Sequence, residues 1–155
     1  MADEIADAES LDALSAVIDE WLAHELVENP VVAAVDRGEP GERRWYVRVL
    51  GKTKDVYTVW FTLQQRSLHF ETYVMPAPEE NHGAFYEHLL RRNRKLHGMS
   101  FCIGDEEAAF LVGSLPVHAV DRGELDRILG SVYAYVELCF QPALRIGFAS
   151  RFGGS

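Results

Sequence analysis

No stretch of this sequence is apolar for the ~20 residues that a membrane-spanning helix needs, which excludes such a helix within it. Cysteine is scarce. Cys102 and Cys139 are too few for a disulfide framework and lack metal-binding spacing, and each sits in an apolar pattern that reads as a buried, reduced thiol. Lysine and arginine are missing from residues 1–28, where nine acids stand: Asp3, Glu4, Asp7, Glu9, Asp12, Asp19, Glu20, Glu25 and Glu28. The rest of the chain carries 15 acids against 15 bases, so the formal charge of −9 comes wholly from that first segment. A nucleic-acid binder shows a dominant basic face, so neither DNA nor RNA is an expected partner. The opening Met1-Ala2-Asp3-Glu4 is acidic where a secretory signal is basic and then apolar. The expected location is the cytoplasm.

Motifs that carry chemistry are absent too. The sequence holds no Gly-x-Ser-x-Gly elbow, no phosphate-cradling loop and no dinucleotide fingerprint. His82, His88 and His97 share one predicted helix, but ligands on one helical face stand three or four residues apart, and spacings of six and nine do not converge. Glu20 and His24, four apart, read as an exposed helix pair. Acid–base catalysis needs two groups whose pKa values are driven apart in one pocket. Asp105-Glu106-Glu107 falls instead in a predicted turn, where carboxylates are solvated. The expectation is a non-enzyme with no catalytic residue, no cofactor and no metal.

What the sequence does have is alternation. Trp45–Val49, Val56–Leu63 and Leu68–Val74 read as three strands joined by the short turns Gly51-Lys52-Thr53-Lys54 and Gln64-Gln65-Arg66-Ser67, hence consecutive antiparallel hairpins. A first helix is predicted from the N-cap Ser10, with Leu11, Leu14, Val17, Ile18, Trp21, Leu22 and Leu26 on one face, to about Glu28, where Asn29-Pro30 stops it. Arg37-Gly38-Glu39-Pro40-Gly41 then reads as a loop. After Pro76 and Pro78, Glu79 and Glu80 suit the positive end of a second helix. Its buried stripe is Phe85, Leu89, Leu90 and Leu96, and the basic residues Arg91, Arg92, Arg94 and Lys95 suit its negative end before Gly98. Ser100–Ile103 and Ala108–Val112 form a further hairpin. A last helix opens at Asp121 with Glu124 as its capping partner, and Pro142 is placed to end or kink it. The hexapeptide Ala34–Glu39 recurs as Ala119–Glu124, with no surrounding similarity to support a duplication.

The predicted architecture is a single α+β domain with an antiparallel sheet, in the order α-β-β-β-α-β-β-α. A chain of 155 residues is of ordinary size for one domain. Residues 1–9 are expected as a disordered acidic leader, 10–150 as the domain, and 151–155 as a flexible tail. Alternation gives the sheet one apolar face and one mixed face. On the mixed face Tyr46, Arg48, Trp60, His69, Glu71 and Tyr73 line one surface, combining aromatic area with hydrogen-bonding groups as binding surfaces do. A slip of one residue in register would exchange the two faces.

The element order, Leu89-Leu90-Arg91-Arg92-Asn93 closing the second helix, Trp45–Val49 at the sheet entry, Phe101-Cys102-Ile103-Gly104 entering the hairpin, and Leu115-Pro116 followed by Glu124-Leu125 together resemble the YbjN family. That family is similar in fold to the type III secretion chaperones, and the resemblance covers roughly residues 10–150. It implies a non-enzymatic, often dimeric module that binds extended polypeptide or protein segments, with no catalytic residue to carry over and an association with regulation and stress responses. The expected partners are therefore a polypeptide client and a second copy of the chain. Two alternatives are a scaffold or adaptor dimer that recognises a folded regulator, and a small-molecule enzyme with a closed pocket.

Overall fold

The structure, a computed structural model, describes residues 5–152. Helix α1 (Ala8–Glu28) starts two residues before the predicted cap: the Asp7 carboxylate accepts the backbone N–H of Ser10 at 2.8 Å, placing Ser10 in the first turn. A carboxylate suits this position because it meets both an unpaired amide and the positive helix end. Leu11, Ile18, Trp21 and Leu22 are buried on its inner face, whereas Leu26, expected there, is exposed. The Asn29 N–H closes the helix on the Glu25 carbonyl before Pro30.

The sheet has six strands, one more than the sequence predicts. They are β1 (Val32–Arg37), β2 (Arg44–Leu50), β3 (Val56–Leu63), β4 (Ser67–Met75), β5 (Met99–Ile103) and β6 (Ala109–Pro116). Their order is β1-β2-β3-β4-β6-β5, with every neighbouring pair antiparallel. The unpredicted β1 is alanine-rich, with a weak strand propensity of its own. The open edge of β2 supplies its partners, Val35 opposite Val47 and Asp36 opposite Tyr46, and a bulge falls between Val32 and Ala34.

Helix α2 (His82–Asn93) is shorter than expected. Glu79 and Glu80 precede it, and Asn81 enters it with a left-handed φ of 53° and donates its side-chain amide to the Ile146 carbonyl. Phe85 and Leu89 are buried on it, but Leu90 is 67% exposed. Helix α3 (Arg122–Gly147) is capped by Asp121 as predicted and continues through Pro142. The single turn α4 (Ala149–Phe152) follows. There the Arg151 guanidinium pairs with Glu79 at 2.6 Å, and the Ser150 hydroxyl donates to Glu80. Arg151, placed in the expected tail, is thus anchored. Residues 153–155 of that tail, like Met1–Glu4 of the expected leader, lie outside the described residues.

All three long helices pack on one side of the sheet. The core between them holds Trp21, Trp45, Phe61, Phe70 and Phe85, all essentially buried, with Trp21 edge-on to Phe61 at 5.9 Å. Both buried indoles donate to carboxylates at the core rim: Trp21 to Asp126 and Trp45 to Asp19, each at 2.7 Å. Asp19 also pairs with Arg37, whose guanidinium lies 4.7 Å from the Trp45 ring centre. The first acid-only helix is thereby fastened to β1 and β2.

Candidate binding face of the sheet

Burial alternates along every central strand, and the odd positions of β2 and β3 face the helices. Tyr46, Arg48, Trp60, His69, Glu71 and Tyr73 all project from the opposite side, which no element of the chain covers among the described residues. Strand register sets them in rows. Asp36, Tyr46, Trp60, Glu71, Val112 and Ser100 stand side by side across all six strands. A second row runs Arg44, Thr62, His69, Ser114, and the Arg44 guanidinium reaches the Thr62 hydroxyl at 3.2 Å. His69 Nε2 and a Glu71 carboxylate oxygen are 3.2 Å apart along β4. Arg48 lies opposite Thr58, away from both.

The aromatic part of this face extends beyond the residues read from the sequence. Phe110 on β6 stands opposite Tyr73 and packs edge-on to it at 5.5 Å and to Trp60 at 6.4 Å. Ala108–Val112 reads in sequence as one apolar run, so no face could be assigned to Phe110. Its placement follows from β6 joining β4, a long-range pairing. A recess of about 510 Å³ opens here, lined by Trp60, Glu71, Tyr73, Cys102, Asp105 and Phe110 among others. Cys102 is exposed on this face, contrary to the expectation of a buried thiol, because β5 is an edge strand and Cys102 shares the outward register of Phe110. Partial burial, and then the nearby Glu71 carboxylate, push its pKa up, which keeps it a thiol rather than a nucleophilic thiolate. Cys139 is buried as expected.

The predicted turn Asp105–Glu107 is exposed and carries left-handed φ at Glu106 and Glu107. Among the described residues, no three His, Cys, Asp or Glu side chains gather as metal ligands, and no helix is long and apolar enough to cross a membrane. Of the three histidines predicted on one helix, His82 and His88 lie on α2 but His97 falls beyond its end, and the His88 Nε2 is buried without a hydrogen-bond partner.

Asn93 is a residue whose role sequence reasoning missed. Its side chain accepts the Phe101 N–H at 2.7 Å and donates to the Phe101 carbonyl at 3.1 Å. One amide thus occupies both outward backbone groups at the centre of edge strand β5, imitating a neighbouring strand. Beside it, Tyr86, Leu89, Leu90, Phe101, Cys102 and Ile103 line an apolar recess of about 310 Å³.

The N-terminal helix, six-stranded antiparallel sheet and C-terminal helix of this chain resemble the fold of type III secretion chaperones. The chain aligns with the Yersinia pestis type III secretion chaperone SycH, solved in complex with a stable fragment of YscM2, at a TM-score of 0.52 and 15% identity over 79% of this chain and 96% of that one. A chain of the ExsC–ExsE complex aligns at a TM-score of 0.58 and 16% identity, covering 81% and 92% respectively. These likenesses show the fold alone. Residues 15–144 match the YbjN family, described as "Putative bacterial sensory transduction regulator", and the chain belongs to that family. Uncharacterized proteins of Mycobacterium leprae (strain TN) and Mycobacterium tuberculosis (strain ATCC 25618 / H37Rv) are 37% and 33% identical to it over 111 residues, 72% of this chain. The match covers 55% of each of these relatives, so the chain spans about half the length of the proteins it matches.

Proposed function

We propose that this protein is a non-enzymatic, chaperone-like module of a cytoplasmic regulatory or stress-response system, which holds an extended polypeptide against the uncovered face of its sheet. The carrying observation is the row Tyr46, Trp60, Glu71 with Phe110 and Tyr73 beside it: large rings interleaved with hydrogen-bonding groups, left open where the other face is sealed by helices. Rings of this kind give contact area at low entropic cost, and polar neighbours fix orientation. The fold neighbours, each solved as a complex, support the reading. A photo-crosslinking amino acid at position 60 or 73 tests it. Capture of an unfolded client segment, competed by denatured polypeptide, is the expected result. If only neighbours within the chain are captured, the face is not the binding site.

The same reading includes a homodimer, for which the α2–β5 recess is the supporting surface. Leu90 and Ile103 are 67% and 52% exposed there. Arg94 and Lys95 precede β5 and Asp105–Glu107 follow it, so a two-fold axis through the strand sets each basic end against the partner's acidic end. Leu90→Glu places a charge in this recess. Sedimentation velocity should show its mass halved relative to the parent chain, and an unchanged dimer would exclude the surface.

A further inference from the structure

The recess on the open face has a chemical bias. Phe110 is flanked edge-on by two rings, Tyr73 at 88° and Trp60 at 84°, so that aromatic surfaces turn in different directions around one hollow. Glu71 and Asp105 add carboxylates to its wall. The electron-rich faces of perpendicular rings attract cations, and carboxylates at the rim reinforce the attraction.

We propose that the recess between Trp60, Tyr73, Phe110, Glu71 and Asp105 is a subsite for a cationic side chain, arginine foremost, of the polypeptide laid on the sheet. This rests on the reading of the sheet face given above and adds a specificity to it. Arginine fits better than lysine because its flat guanidinium stacks on a ring and pairs with a carboxylate at once. The hollow of about 510 Å³ lies within the ~300–1,000 Å³ of small-ligand clefts, ample for one long side chain.

Two groups in the wall are held in their uncharged forms. The Tyr73 hydroxyl and the Cys102 thiol both have their pKa pushed up, first by burial and then by a carboxylate, Glu106 for the tyrosine and Glu71 for the cysteine. The Tyr73 ring already accepts a cation from within the chain, the Lys54 ammonium 5.5 Å from its centre. Lys54 is itself tied to the Val74 carbonyl at 2.8 Å and is not one of the residues lining the recess.

The test titrates the whole 155-residue, 15N-labelled chain with Nα-acetyl-arginine amide and, as neutral isostere, Nα-acetyl-citrulline amide, while following the indole N–H of Trp60. A saturable shift with the arginine probe at about fivefold lower concentration is expected, from the strength of exposed cation–π contacts. The preference should shrink in Glu71→Gln and in high salt, since the rim attraction is screened. Equal response to both probes, or an arginine preference indifferent to Glu71→Gln, overturns the subsite. A second arm uses the capped heptapeptide Thr-Val-Thr-Arg-Thr-Val-Thr and its citrulline counterpart. Equal binding of both at Trp60 leaves the sheet face as a polypeptide site and removes the cation preference. Selective response to the small arginine probe, with neither peptide bound, removes the polypeptide occupant and leaves a site for small cations.

Discussion

Glu106 and Glu107 stand consecutively at φ of 57° and 61°, a region where a side chain crowds the following carbonyl. Glycine carries no such crowding, so Glu106→Gly should raise stability by about 1 kcal/mol in urea unfolding. His88 illustrates a different residue-scale tension. Its Nε2 is buried without a hydrogen-bond partner, and burial, then the Arg92 charge, hold its pKa below the ordinary 6.5. The folded state therefore binds the His88 proton less readily than the unfolded chain does, and stability present above pH 6.5 is lost as the pH falls below it. His88→Gln should flatten the midpoint of urea unfolding between pH 7 and 5 relative to the parent. Neither feature could be read from the sequence, because a turn's φ and a ring nitrogen's surroundings are set by packing. By contrast the shared face of Tyr46, Arg48, Trp60, His69, Glu71 and Tyr73 was legible, since alternation within each strand turns the apolar positions to the core and the short turns fix the register between strands.

Among the elements, the six residues Ala-Val-Asp-Arg-Gly-Glu show how far local sequence reaches. At 34–39 they end β1 and turn, with Arg37 bonded to Asp19. At 119–124 the same residues cap α3, with the Asp121 carboxylate on the Glu124 amide. The helix was predicted because capping is a local interaction. The strand was not, because its partner β2 lies beyond a loop. The β2–β3 turn depends on a similar distant contact. Glu137 of α3 accepts the N–H groups of Lys52 and Thr53, both at 2.9 Å, and Gly51 passes so close to the Lys54 carbonyl that a Cβ would overlap it. Charge-assisted bonds of this kind contribute about 1.5–3 kcal/mol. Glu137→Ala should cost about 2 kcal/mol by that scale and should speed hydrogen exchange at the Lys52 and Thr53 amides specifically. Faster exchange across the whole sheet would show instead that Glu137 holds more than the turn.

At the scale of the whole molecule, the division of the sheet into a sealed face and an open one leaves two rims to be managed. β1 is short, bulged and charged at Asp36 and Arg37, devices that discourage further strands. β5 is shorter still and lies against α2, and Asn93 closes the outward backbone groups at its centre. Asn93→Ala should remove both side-chain bonds to Phe101, lower stability by about 1–2 kcal/mol, and make the chain self-associate as its concentration rises, measured by light scattering and thioflavin fluorescence. A variant that loses stability yet stays free of larger particles would show that the rim is guarded by something else. The amide at Asn93 has a consequence for what such a protein can safely do. A carrier of unfolded segments spends its working life beside chains that are themselves ready to stack into fibrils. In the proposed role, a pleat finished by the Asn93 side chain would give a client a floor to lie on without offering it an open strand edge to seed on.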